Sequence, residues 1–162
     1  MPDAVRDPVV TEISIDKAGL TGGGTIGSGM TGGVPAPCIP VSWGELVDKK
    51  TILEIKVERL LAADAVANAK RELALLTAAL HTLATVPDGL AGVEAALGDV
   101  NRRLWDIENA IRRKEAQGNF DAAFIELARL VYRTNDERAR LKREINTLLR
   151  SGIVEEKQYD AY

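Results

Sequence analysis

From Leu46 onward, apolar residues recur three and four positions apart, the spacing that lines one face of an α-helix. The first run is Leu46, Leu53, Val57 and Leu60, while Ile52 and Ile55 project roughly to the opposite side. A helix apolar on two sides is covered on two sides, by the C-terminal tail, another helix or a second subunit. The second run is Val66, Ala69, Leu73, Leu76, Leu80 and Leu83. It starts after a phase slip in "LAADAVA", a kink or a turn, where Asp64 is placed to cap a new helix. The third is Leu90, Val93, Leu97, Val100, Leu104, Ile107 and Ile111, an unbroken heptad-like seam that also carries Glu108. The fourth is Phe120, Phe124, Leu127 and Val131, then Thr134 and Arg138, then Leu141, Ile145 and Leu148.

Punctuation supports these elements. "SWGE" reads as a capping box, with Ser42 and Glu45 each placed to bond the other's amide and Val41 and Leu46 placed as a hydrophobic staple. "VPDG" (Val86 to Gly89) supplies a proline and then an acidic cap. "QGN" (Gln117 to Asn119) ends the third helix, with Asn119 placed to cap the fourth, and Ser151–Gly152 closes the fourth. Short turns between long amphipathic helices make antiparallel neighbours. The expected fold is therefore all-α: an antiparallel helical hairpin bundle of three or four long helices with coiled-coil-like packing.

Arg138 is the anomaly in this pattern. A guanidinium stays charged at any ordinary pH, so in a seam it must meet a carboxylate, reach solvent or face an anion. Thr134, Asn135, Arg138 and Lys142 form one polar patch about two turns long. With the last two helices paired about Gly118, Arg138 lies level with Gly98 to Asn101, and Asn101 is within reach. Glu108 lies about ten residues nearer the turn, roughly 15 Å away at the helical rise, too far to pair with it directly. Trp105 beside the seam reads as packing. The alternating charges of the first helix, Glu45, Asp48, Lys49, Glu54, Lys56 and Glu58, read as a solvated face of weak pairs.

Residues 1–38 differ in kind. "VVTEISI" lacks a partner strand, and "GLTGGGTIGSGMTGGVPAPC" is too rich in glycine for helix or strand. It reads as a flexible segment, leaving 39–162 as the helical bundle domain. "GGGTIG" fits a dinucleotide fingerprint loosely but has no strand before it and no helix directly after it.

Composition narrows the chemistry. The 162 residues carry a net charge of −3 and only four per cent aromatics, which argues against nucleic acid. Cys38 and His81, the sole residues of their kinds, cannot form an intrachain disulfide or a Cys/His zinc site, and no metal or cofactor is expected. A lone thiol, no apolar run of about 20 residues and no signal-like N-terminus point to a cytoplasmic protein without membrane contact.

Three segments, "SWGELVDKKTILEIK", "LWDIENAIR" and the stretch from "VYRTNDERARLKREIN" to "VEEKQY", resemble an uncharacterised bacterial helical family, a domain of unknown function. The resemblance runs from about residue 39 to the end. Trp43 and Gln158 are small departures from the family pattern. It implies a compact helical module, with relatives beside cell-surface sugar functions, and brings no activity, cofactor or catalytic residue. It also marks motif positions at Glu45, Asp48, Lys49, Glu54, Lys56, Trp105, Glu108, Tyr132, Asn135, Asp136, Arg138, Lys142, Glu155, Glu156, Lys157 and Tyr159. These imply a polar network joining the first helix, the last helix and the tail.

Two expectations follow. The first is a non-enzymatic helical interaction or oligomerisation module that binds a second copy or another protein. The second is a small helical enzyme or binding protein, with Arg138, Lys142 and Asn135 holding an anionic small molecule and Glu54 or Glu108 as acid or base.

Overall fold

In a computed structural model that describes residues 37–156, extended backbone at Ser42 gives way to helix α1, Trp43–Arg59. The Ser42 hydroxyl accepts from the Glu45 amide at 3.2 Å, the N-cap bond expected from the sequence. The Glu45 carboxylate accepts from Lys142 across the fold. After α1 come α2 (Ala63–Leu80), α3 (Leu90–Ala116) and α4 (Ala122–Leu148). The described part of the chain is all-helical, with no strand among the described residues.

The phase slip is a turn, not a kink. Leu60 to Ala62 are non-helical, and Asp64 sits inside the first turn of α2 behind the N-cap Ala62. Two further caps are displaced from their expected positions. Gly89, with φ of 87°, is the N-cap of α3 in place of Asp88; a left-handed φ is far cheaper for glycine than for aspartate. Asp121, not Asn119, caps α4, accepting from the Phe124 amide at 3.0 Å, so Phe120 lies outside the helix. At the other end α4 closes at Leu148, two residues short of the Ser-Gly pair. Arg150 takes the left-handed position (φ 48°) while Ser151 and Arg150 donate to Asn146 and Thr147, the paired bonds of a Schellman turn.

From Val41 onward the chain forms one unit in which α3 and α4 make the largest helix–helix contact and α1 touches all three other helices. Pairings fix the directions. Lys50 meets Glu94 and Arg59 meets Asp106, so α1 runs parallel to α3. Lys142 meets Glu45 and Arg138 meets Asp48, so α1 runs antiparallel to α4. Val47 is fully buried in a core with Leu90, Leu97, Val100, Leu104, Leu141 and Ile145. Leu46 and Leu53 are buried outside that cluster, on the side closed by α2. Of the opposite pair, Ile55 is buried while Ile52 is half-buried and lines an open depression, so the second side of α1 is covered only in part.

Coverage is uneven along the hairpin. α1 ends level with Asp106, but α3 continues to Ala116. Every buried residue of α3 lies at or before Leu104, and every buried residue of α4 at or after Thr134. The two-helix segment between them, residues 105–133, projects as an arm with no buried residue in it.

Candidate functional site

Arg138 meets Asp48. The alternating charges of α1 predict a solvated face; the structure corrects this for Asp48, which is 2 % exposed. It lies three positions before Thr51, which puts the two on one α1 face. Arg138 Nε donates to Asp48 Oδ1 at 2.8 Å and Nη2 donates to Oδ2, the two-pronged geometry that suits a carboxylate. Asn101 Nδ2 donates to Asp48 Oδ1 and to Thr51 Oγ1, both at 2.9 Å, and Thr51 Oγ1 donates to the Asp48 carbonyl at 2.9 Å. Arg138 Nη1 reaches Asn135 Oδ1 at 3.4 Å. The Asp48 hydrogen bonds raise the Arg138 pKa above its already high ordinary value, although burial opposes them. Removing one partner of such a pair costs about 3–5 kcal/mol where the other stays buried.

One turn along α4, Lys142 is 5 % exposed and donates to Glu45 of α1 and Glu155 of the C-terminal segment. Burial alone would lower the Lys142 pKa, but the bonds to Glu155 and Glu45 bring it above the ordinary lysine value.

A third joint completes the seat of α1. The first amides of a helix lack intrahelical partners. Here Gly44 N donates to Asn146 Oδ1 at 2.6 Å and Trp43 N to Ser151 Oγ at 3.4 Å, so the end of α4 caps the start of α1. Gly44 is required by closeness: a Cβ there would stand 2.5 Å from the Lys142 carbonyl oxygen.

The residues singled out from the sequence therefore fall in several places. Asp48, Asn135 and Arg138 share one cluster, with Glu45, Lys142 and Glu155 in the next. Lys49 instead pairs with Glu72 of α2, and Glu54 pairs with Lys50, which also binds Glu94 of α3 at 2.7 Å. Glu108 pairs with Arg112 on its own helix at 2.8 Å. Lys157 and Tyr159 lie outside the described residues. Sequence reasoning did not assign Lys50, Thr51, Asn146 or Gly44. Thr51 and Asn146 sit at helical spacing from Asp48 and Lys142, a weak signal that the polar face continues.

Two depressions flank α1. One, of about 430 Å³, lies between α1 and α3, and its cations are paired: Lys50 with Glu54 and Glu94, and Arg102 with Glu58. The other, of about 250 Å³, opens where α1 leaves the α3/α4 groove. Its lining mixes the apolar Ile52, Ile55, Leu104 and Trp105 with the polar Asn101, Glu108, Asn109, Arg112, Asn135 and Arg138. Among the described residues no three His, Cys, Asp or Glu side chains gather to hold a metal, and no helix is long and apolar enough to cross a membrane.

These features define a class: an all-helical module in which a short helix is fastened by ion pairs and caps into the groove of a longer hairpin. Residues 38–162 match the model of a family of unknown function, DUF6165, and the chain belongs to that family. No curated protein and no solved structure matches the chain.

Proposed function

We propose that the protein is a non-enzymatic helical interaction module whose projecting α3/α4 arm docks protein. The observation that carries this is the lack of any buried residue from 105 to 133. That segment holds Ile107, Ile111, Phe124, Leu127 and Val131 on its inner seam. Phe120 is 58 % exposed at its tip, and Ile125 and Leu130 are exposed on its outer side. Exposed apolar groups gathered on one segment mark an interaction surface.

The polar network favours this reading over an anion pocket. Arg138 is engaged by Asp48, Lys142 by two glutamates, and Asn135 donates to the Val131 carbonyl at 3.0 Å. The cations that an anion would need are already neutralised, and they fasten α1 and the C-terminal segment to the hairpin.

Photo-crosslinking in the native cell tests the proposal. A photoreactive residue at Ile125 or Leu130 is expected to give a protein adduct, and one at Arg140, on the exposed face of the covered half of α4, far less. Equal and negligible adducts at all three positions would sink it.

A further inference from the structure

We propose that the depression beside Trp105 is the seat of the chain's own C-terminal tail: residues 157–162 run on along the crevice between α1 and α4, and the Tyr159 ring enters the depression. None of the arm's exposed apolar groups, Phe120, Ile125 and Leu130, lines it, so the seat and the docking arm stand or fall separately.

Three observations name this occupant. The first is heading. The Ser151 amide donates to the Asn146 carbonyl at 2.8 Å, and the Glu155 carboxylate accepts from Lys142, which also holds Glu45 of α1. Past the end of α4 the chain has therefore turned back, running antiparallel to α4 and beside α1. The same course leads on past Arg138 and Asn135, and both line the depression.

The second is reach. Asn135 stands seven residues before Lys142 on α4, about 10 Å at the helical rise. Extended chain covers about 3.3 Å per residue, so the fourth residue past Glu155 lies about 13 Å on. That residue is Tyr159. Tyr162, about 23 Å on, overshoots. Glu155 is half-buried against Lys142 and Glu156 is exposed, and extended side chains alternate. Lys157 and Tyr159 then turn to the crevice. Lys157 improves the charge balance there, because the carboxylates of Glu45, Asp48 and Glu155 outnumber the cations of Arg138 and Lys142.

The third is the shape and chemistry of the seat. α1 begins against α4, where Glu45 and Asp48 meet Lys142 and Arg138. It ends against α3, where Glu58 and Arg59 meet Arg102 and Asp106. It thus crosses the groove obliquely and leaves a wedge on the α4 side, which is the depression. A cavity of about 150 Å³ with apolar walls holds a benzene ring, and the wedge offers about 250 Å³. Its mixed lining suits a tyrosine, an apolar ring with a polar tip. Ile52, Ile55 and Trp105 meet the ring, while Glu108 and Asn109 offer acceptors for the hydroxyl.

Tryptophan emission tests the seat in the full chain. Trp43→Phe leaves Trp105 as the sole tryptophan. In that background Tyr159→Ala is expected to shift the emission to the red and to raise its quenching by acrylamide. Glu155→Ala, which frees the segment from Lys142, is expected to do the same, and Tyr162→Ala to change neither. Stability supplies a second reading. The losses caused by Tyr159→Ala and Ile52→Ala are expected not to add in the double variant, as for residues in contact. Trp105 emission indifferent to Tyr159→Ala, or moved as far by Tyr162→Ala, overturns the proposal, and so does full additivity. The crosslinking of the arm decides the interaction reading whichever result is obtained.

Discussion

Gly44 shows how a residue draws its importance from an element far along the chain. Its backbone lies against α4, its amide is bonded to Asn146, and an added methyl would meet the Lys142 carbonyl at 2.5 Å and Asn146 Oδ1 at 3.0 Å. The obstacle at Lys142 is backbone, which cannot swing aside as a flexible side chain would. Gly44→Ala is therefore expected to destabilise the protein by about 2–3 kcal/mol, the cost of overpacking a tight contact. This stands against the general gain from replacing glycine in a helix. A urea-denaturation midpoint equal to or above the wild type's would refute it. The sequence showed Ser42 and Glu45 as a cap because that bond is local. It showed Arg138 as an anomaly because one charge broke a periodic seam. It could not show Gly44 as a contact, or Asp48 as the buried partner, because both depend on which α1 face meets α4. Alternating charges on a half-covered helix look alike on either face until the neighbours are placed.

At the scale of elements, α1 is held by groups rather than by propensity, and Lys142 joins three of them: α1 through Glu45, α4 itself, and the C-terminal segment through Glu155. The folded-state pKa of Lys142 is raised. The stability this brings is fully present below the unfolded lysine value of about 10.4 and is lost as pH climbs through the higher folded value. Lys50, bonded to Glu54 and Glu94, is raised in the same direction. Denaturation midpoints are thus expected to drop as pH rises above about 10.4, with a shallower drop for Lys142→Met because one of the two lysines no longer titrates. A Lys142→Met slope as steep as the wild type's would show that the network contributes nothing to the coupling. Element types and order were legible in the apolar periodicity, and boundaries less so. The starts of α3 and α4 shifted by one or two residues, to Gly89 and Asp121: Gly89 takes the left-handed φ, and Asn119 donates its amide back to Lys114 to close α3.

For the whole molecule, the telling asymmetry is between the two halves of the hairpin. The heptad-like seam of α3 runs without a break from Leu90 to Ile111, so the sequence offered no sign that burial stops at Leu104. The end of burial is set by the length of α1, not by α3 or α4. Stability should follow coverage, since local opening is easiest where few apolar groups are buried. In native-state hydrogen exchange, amides of residues 97–104 and 139–146 are expected to need global unfolding, while those of 107–116 and 124–131 open at clearly lower free energy in dilute protein. A docked partner adds protection by mass action, so arm amides are expected to slow when a crosslinked partner is added while the covered half stays unchanged. Uniform protection along both helices at low concentration would mean that the arm is stable in isolation and needs no partner to complete it. Graded protection that closes when a partner binds would mean that the fold leaves the arm unfinished by itself and that docking completes it.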